Sequence, residues 1–140
     1  MRTVSLSFYL FLFYGIYAQD DIQFEYLGES EKTCIKELNI DEFTIDYNFN
    51  QLYLPESNVE FSRFIECVWK KKGLMSDKNN LQYDSLQEYI ATKFLDVIGN
   101  TKNANAFAKD SVNGCKVVRG ETPGKTAITF MNCVTRLFHN

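Results

Sequence analysis

Phe61-Ser62-Arg63-Phe64-Ile65-Glu66-Cys67-Val68-Trp69-Lys70-Lys71-Lys72-Gly73-Leu74-Met75 is the stretch whose reading decides the fold. Its apolar side chains at 61, 64, 65 and 68 recur at the spacing of one buried helical stripe. Asn58 or Ser57, just after Pro55, suits the start, where a side-chain oxygen accepts an otherwise orphaned backbone N–H. Lys70, Lys71 and Lys72 fall in the last turn, at the negative end of the helix dipole. Gly73 then offers the left-handed residue that closes such a helix, with Leu74 folding back onto it. Cys67 lies on the buried side of this element, so the partner of its sulfur decides how the rest of the chain is arranged.

Working outward to the N-terminus, residues 1–18 read as a secretory signal. Arg2 gives a short positive start, an apolar run follows from Val4 to Tyr17, and Ala18 is a small residue before the polar Gln19-Asp20-Asp21. The run is too short to span a bilayer securely. Residues 19–140 then suit one secreted, soluble domain. Without Arg2 the chain holds 14 basic against 18 acidic residues, and the net charge moves from −3 to −4. A mildly acidic chain whose only basic run is Lys70–Lys72 argues against nucleic acid or an anionic membrane as partner. No Asn-x-Ser/Thr sequon occurs.

All four cysteines, Cys34, Cys67, Cys115 and Cys133, fall after the signal, and in a small secreted domain they imply two disulfides. Three pairings are open on this count. No pair has C-x-x-C spacing and His139 is the single histidine, so neither a metal site nor any other cofactor is expected.

The flanks read as further short helices. Residues 20–38 look helical but broken at Gly28, with Ser30 capping a second piece that carries Cys34, Ile35 and Leu38. Phe43, Ile45, Tyr47 and Phe49 alternate as a strand would, yet no second strand follows to pair with, which favours a short helix and irregular chain. Ser76–Asn80 is a polar turn. Asp84-Ser85-Leu86-Gln87 resembles a capping box, followed by inward Leu86, Tyr89, Ile90, Phe94 and Val97 up to Gly99-Asn100. Thr101 caps a helix with Ala104, Phe107, Ala108, Val112 and Cys115 on one face. Thr122-Pro123 opens the last helix, with Ala127, Phe130, Met131, Val134 and Phe138 inward. The sum is an all-α fold of five to six short helices.

Three motifs point to chemistry and fail. Gly120-Glu121-Thr122-Pro123-Gly124-Lys125-Thr126 resembles a phosphate-binding loop, but Arg119 stands where its first glycine belongs and no βαβ unit surrounds it. Asp77, Asn79 and Glu88 mimic a calcium loop in which Leu81 replaces an oxygen ligand and Gln82 the turn glycine. A hydrolase would need a nucleophile with an oriented base, and a terminal His139 serves none.

The cysteine spacing resembles that of insect odorant-binding and pheromone-binding proteins, secreted six-helix carriers of small lipophilic molecules. Cys34, Cys67, Cys115 and Cys133 match the first, third, fourth and sixth of that family's six cysteines. Arg63, four before Cys67, and Gly124, nine before Cys133, stand at the second and fifth, which in the family bond to each other. The resemblance therefore implies a reduced-cysteine ("C-minus") member, bridges Cys34–Cys67 and Cys115–Cys133, and residues 63 and 124 as neighbours. It also implies a non-catalytic carrier with an apolar pocket walled by Phe64, Val68, Leu74, Met75, Ile90, Phe94, Phe107, Val112, Met131, Val134 and Phe138. In that pocket the Tyr89 hydroxyl would orient the ligand and the residues after Cys133 would form a covering tail. The implied partners are a small hydrophobic ligand and, beyond it, a membrane receptor or a second copy. A salivary, venom or reproductive-fluid protein that sequesters a signal or contacts a protein is the alternative use of the same scaffold.

Overall fold

The computed structural model describes residues 27–140. The signal reading of residues 1–18, the cleavage point before Gln19 and the helical reading of residues 20–26 lie outside the described residues. Contacts divide the chain between Thr33 and Cys34 into two compact units. The Gly28 carbonyl accepts the Lys32 N–H at 3.0 Å and opens helix α1, Glu29–Leu38, whose residues from Cys34 onward belong to the second unit. Ser30 therefore sits inside the first turn rather than capping it.

In the second unit five more helices follow: α2 Glu42–Phe49, α3 Val59–Lys71, α4 Tyr83–Ile98, α5 Thr101–Cys115 and α6 Pro123–His139. Six helices and no strand make up the described residues, the all-α class the periodicity predicts. Two disulfides staple them. Cys34–Cys67 joins α1 to α3 and Cys115–Cys133 joins α5 to α6, with Cα atoms 6.0 and 5.9 Å apart.

Helix α3 forms as its sequence dictates. The Asn58 side chain accepts the Phe61 N–H at 3.0 Å. At the other end Gly73 takes φ +77°, a conformation costly for any residue with a β-carbon. Leu74 N–H then reaches the Trp69 carbonyl at 2.8 Å and Gly73 N–H that of Lys70 at 3.3 Å, the paired bonds of a Schellman ending. Phe61, Ser62, Phe64, Ile65, Val68 and Trp69 are buried, a stripe wide enough to meet α2 on one side and α6 on another. The polar turn 76–80 folds the chain back, with Ser76 N–H on the Asn80 carbonyl and Gln82 N–H on that of Leu74. The turn leaves Leu74 and Met75 buried at 4% and 2% exposure.

The alternating segment is the helix α2. Ile45 and Asn48 are buried and Phe49 half-buried on its inner face, while Phe43 and Tyr47 stand in solvent. The alternation thus mixes both faces of a helix rather than the two faces of a sheet. Helix α4 opens at Tyr83 with Gln82 at the cap and no side-chain bond there, so Asp84 lies within the first turn and does not cap. There its carboxylate suits the positive end of the helix dipole. Asn100, not Thr101, caps α5, its side chain accepting the Asn103 N–H at 2.8 Å. Asn100 wins because it is already in extended backbone while Thr101 is in the helix. Thr122 caps α6 by accepting the Lys125 N–H, with Pro123 at the first helical position.

Only Gly99 and Asn100 separate α4 from α5, which pack together as a hairpin. Helix α6 closes on both α3 and α5. Residues 134–139, expected as a covering tail, continue helix α6. A buried Asn132 ties the irregular segment after α2 to α6. Its Oδ1 accepts the Leu54 N–H at 2.8 Å and its Nδ2 donates to the Leu54 carbonyl and to Glu56. Among the described residues no helix is long and apolar enough to cross a membrane.

Candidate ligand-binding site

The residues proposed as pocket walls fall into two groups. Phe64, Val68, Leu74, Met75, Ile90, Val112, Met131 and Val134 are buried, each at 8% exposure or less. Phe94, Phe107, Phe138 and Tyr89 are half-buried. Three of these four meet. Phe94 from α4, Phe107 from α5 and Phe138 from the last turn of α6 form a closed triangle of rings, with centroids 5.1, 5.0 and 5.6 Å apart. Their inclined and edge-to-face geometries let the positive edge of one ring meet the negative face of another.

The triangle exists because α6 continues past its disulfide. Cys115–Cys133 sets the register of α5 against α6. The next helical turns then bring Phe138 opposite Phe107, and the α4–α5 hairpin brings Phe94 to both. Val97, one turn beyond Phe94, is 66% exposed rather than inward. It sits too close to the end of α4 to be covered.

Phe64 belongs to a second cluster. Its ring lies 5.9 Å from Phe49 and 6.2 Å from Phe61, and Phe49 stands edge-on to Phe61 at 5.4 Å. Phe61 and Phe64 are fully buried, so this cluster works as core between α2 and α3. Trp69 packs edge-on against Phe130, which also meets Tyr83. Tyr89 is placed differently from the triad: the Lys72 and Lys93 ammonium groups lie 5.9 and 5.8 Å from its ring centre. Such cation contacts put its ring at a polar rim.

Two grooves among the described residues carry charge and none of the predicted wall residues. One of about 420 Å³ runs between the starts of α3 and α6, where Val59, Ser62, Thr122 and Pro123 are rimmed by Arg63, Glu66, Glu121 and Lys125. Another, of about 330 Å³, involves Glu56, Arg119, Glu121 and Lys125. The glycines of the phosphate-loop look-alike serve packing there. A β-carbon on Gly120 would stand 2.6 Å from the Lys125 backbone, and one on Gly124 would stand 2.1 Å from the Ser62 carbonyl oxygen.

Two residues of consequence escape a sequence reading. Asn132 looks like an interruption of the α6 apolar face, yet it clamps Leu54. Ser111 sits at 1% exposure on the α5 face shared by Ala104, Ala108 and Cys115. A polar residue inside that apolar stripe was the available signal.

Taken together, the fold and the ring cluster define a class: a small helical protein stapled by disulfides, with aromatic side chains gathered where three helices meet. Among the described residues no group of three or more His, Cys, Asp and Glu side chains converges as a metal site would. The chain belongs to the PBP/GOBP family, whose sequence model matches residues 17–136. That is a family of small-ligand-binding carriers rather than enzymes, and its ligands are small and hydrophobic. No curated protein and no solved structure matches the chain.

Proposed function

We propose that this protein is a secreted, non-catalytic carrier of small lipophilic molecules, odorants or pheromones among them, and that it takes the hydrophobic part of its ligand against Phe94, Phe107 and Phe138. The triad carries the reading. It joins three helices, presents aromatic faces, and is left half-buried where core residues are covered. Apolar walls with few polar groups are what a lipophilic ligand requires. Val112 and Val134, among the predicted wall residues, are buried.

Secretion after removal of residues 1–18 accompanies this proposal, and two disulfides fit an oxidising compartment. N-terminal sequencing of extracellular protein should begin within a few residues of Gln19. The reduced-cysteine assignment is part of the proposal too, with Arg63 and Gly124 at the positions of the absent bridge; the close approach of Gly124 to Ser62 supports it.

The deciding experiment is displacement of an apolar naphthylamine fluorophore. The fluorophore should bind with a Kd of about 1 µM, about −8 kcal/mol, and be released by long-chain alcohols, esters or terpenoids. A folded protein without saturable binding across such a panel would instead favour a role in contacting another protein.

A further inference from the structure

Ser111 is 1% exposed, and its Oγ finds no hydrogen-bond partner in the protein. Buried hydroxyls are nearly always satisfied by protein, water or ligand, because an unpaired one forfeits its hydration without return. Its position is well defined. Helices α5 and α6 are cross-linked at two levels, by Cys115–Cys133 and by the Phe107–Phe138 ring contact. Ser111 is one helical turn from Cys115 and one from Phe107, so it lies between the two levels. On the same face Ala108 and Ala104, both buried, present only methyl groups. Next to the phenylalanine triad there is thus one interior hydroxyl, flanked by small side chains and with its hydrogen-bonding capacity unused.

We infer that Ser111 Oγ is the polar anchor of the site, hydrogen-bonding the single oxygen function of a ligand whose hydrocarbon part lies on Phe94, Phe107 and Phe138. The inference rests on the carrier reading and narrows it to oxygenated lipophiles: alcohols, aldehydes, ketones or esters rather than bare hydrocarbons or halides. Ser111, not the half-buried Tyr89 beside its two lysines, then sets ligand orientation. A lone interior donor in an apolar setting discriminates strongly, because a ligand without oxygen leaves it unpaired.

Nonan-1-ol and 1-chlorononane, similar in length but unequal as hydrogen-bond partners, provide the test in the fluorophore displacement assay. On Ser111→Ala the ratio of alcohol affinity to chloride affinity should fall about tenfold, the size of one buried hydrogen bond. An unchanged ratio overturns the anchor and leaves Ser111 holding a trapped water only. If the wild type releases the fluorophore to neither compound, the carrier reading itself fails and takes the anchor with it. A second measurement needs no substitution. The carbonyl stretch of nonan-2-one bound to the wild type should lie below its value in hexane, and a stretch at the hexane value overturns the inference.

Discussion

The backbone of Gly124 in α6 lies against the carbonyl of Ser62 in α3, so close that a β-carbon at 124 would stand 2.1 Å from the oxygen and 2.5 Å from the Ser62 Oγ. Close approach of this kind needs glycine, whatever the backbone angles. Gly124→Ala should therefore force α3 and α6 apart. The expected loss is about 1–3 kcal/mol, read as a lower urea midpoint at unchanged slope. A neutral outcome would mean that the two helices do not pack here.

The same contact bears on paired cysteines at 63 and 124. The cysteine register would make these residues neighbours; in the structure it is Ser62, the residue before Arg63, whose carbonyl lies against Gly124. A cysteine at 124, however, carries the β-carbon that the Ser62 carbonyl excludes. Arg63→Cys with Gly124→Cys should close a third bridge only if the helices separate. The expected product is a mixture, with intact mass showing bridged and free-thiol forms and stability no higher than the parent. A quantitative bridge with a gain of about 4 kcal/mol, the entropic estimate for a closed loop of this size, would show that the contact yields easily.

The two native bridges differ in the loops they close. Their separations are 33 and 18 residues, so chain entropy assigns about 4 and about 3 kcal/mol to them. Peptide mapping without reduction should recover Cys34–Cys67 and Cys115–Cys133 as linked pairs. Replacing Cys115 and Cys133 by alanine should also loosen the register between Phe107 and Phe138. That double variant should therefore lose affinity for the fluorophore as well as stability, whereas the Cys34/Cys67 pair should cost mainly stability.

Asn132 makes a different kind of prediction. Its amide satisfies both the N–H and the carbonyl of Leu54, at 2.8 and 2.9 Å, from a site that is 3% exposed. Asn132→Leu would leave two partly buried backbone groups unpaired, for about 1–3 kcal/mol. Hydrogen exchange at the Leu54 amide should speed up before that of the α3 core does. Equal exchange in both proteins would mean that water replaces the clamp.

Helix positions were legible in the sequence wherever a cap and a stripe coincided. In α3 the two signals agree and the structure follows both, from Asn58 to Gly73. Where they separate, the stripe prevails: Asp84 and Thr101 have capping chemistry, but the helices start at Tyr83 and Thr101 itself. Segment 43–49 was ambiguous because alternation over four residues fits one and a half helical turns with two side chains left in solvent. The triad was legible only as three inward phenylalanines. Their meeting depends on the α5–α6 register, which a bridge eighteen residues apart in sequence imposes. Ser111 and Asn132 were illegible for a simpler reason. A polar residue on an apolar face signals a partner but does not say which.

The two phenylalanine clusters separate stability from binding. Phe61 and Phe64 are fully buried between α2 and α3, whereas Phe94, Phe107 and Phe138 are half-buried at the three-helix junction. Phe64→Leu removes ring contacts from the core and should cost about 1–2 kcal/mol, toward the lower end of truncations because leucine keeps most of the volume. Fluorophore affinity should change less than twofold, since the residue underlies α3 and not the triad. Phe94→Leu keeps its exposed side and loses fewer packed neighbours, so its stability cost should be smaller, about 0.5–1 kcal/mol. Its effect on affinity should be larger, about five- to tenfold, because the aromatic face offered to the ligand is gone and with it the two sides of the triangle that run to Phe107 and Phe138. Urea denaturation and displacement titrations on the same two variants give all four numbers. The reverse ranking, with Phe64→Leu abolishing binding and Phe94→Leu silent, would move the ligand from the three-helix junction to the α2–α3 cluster.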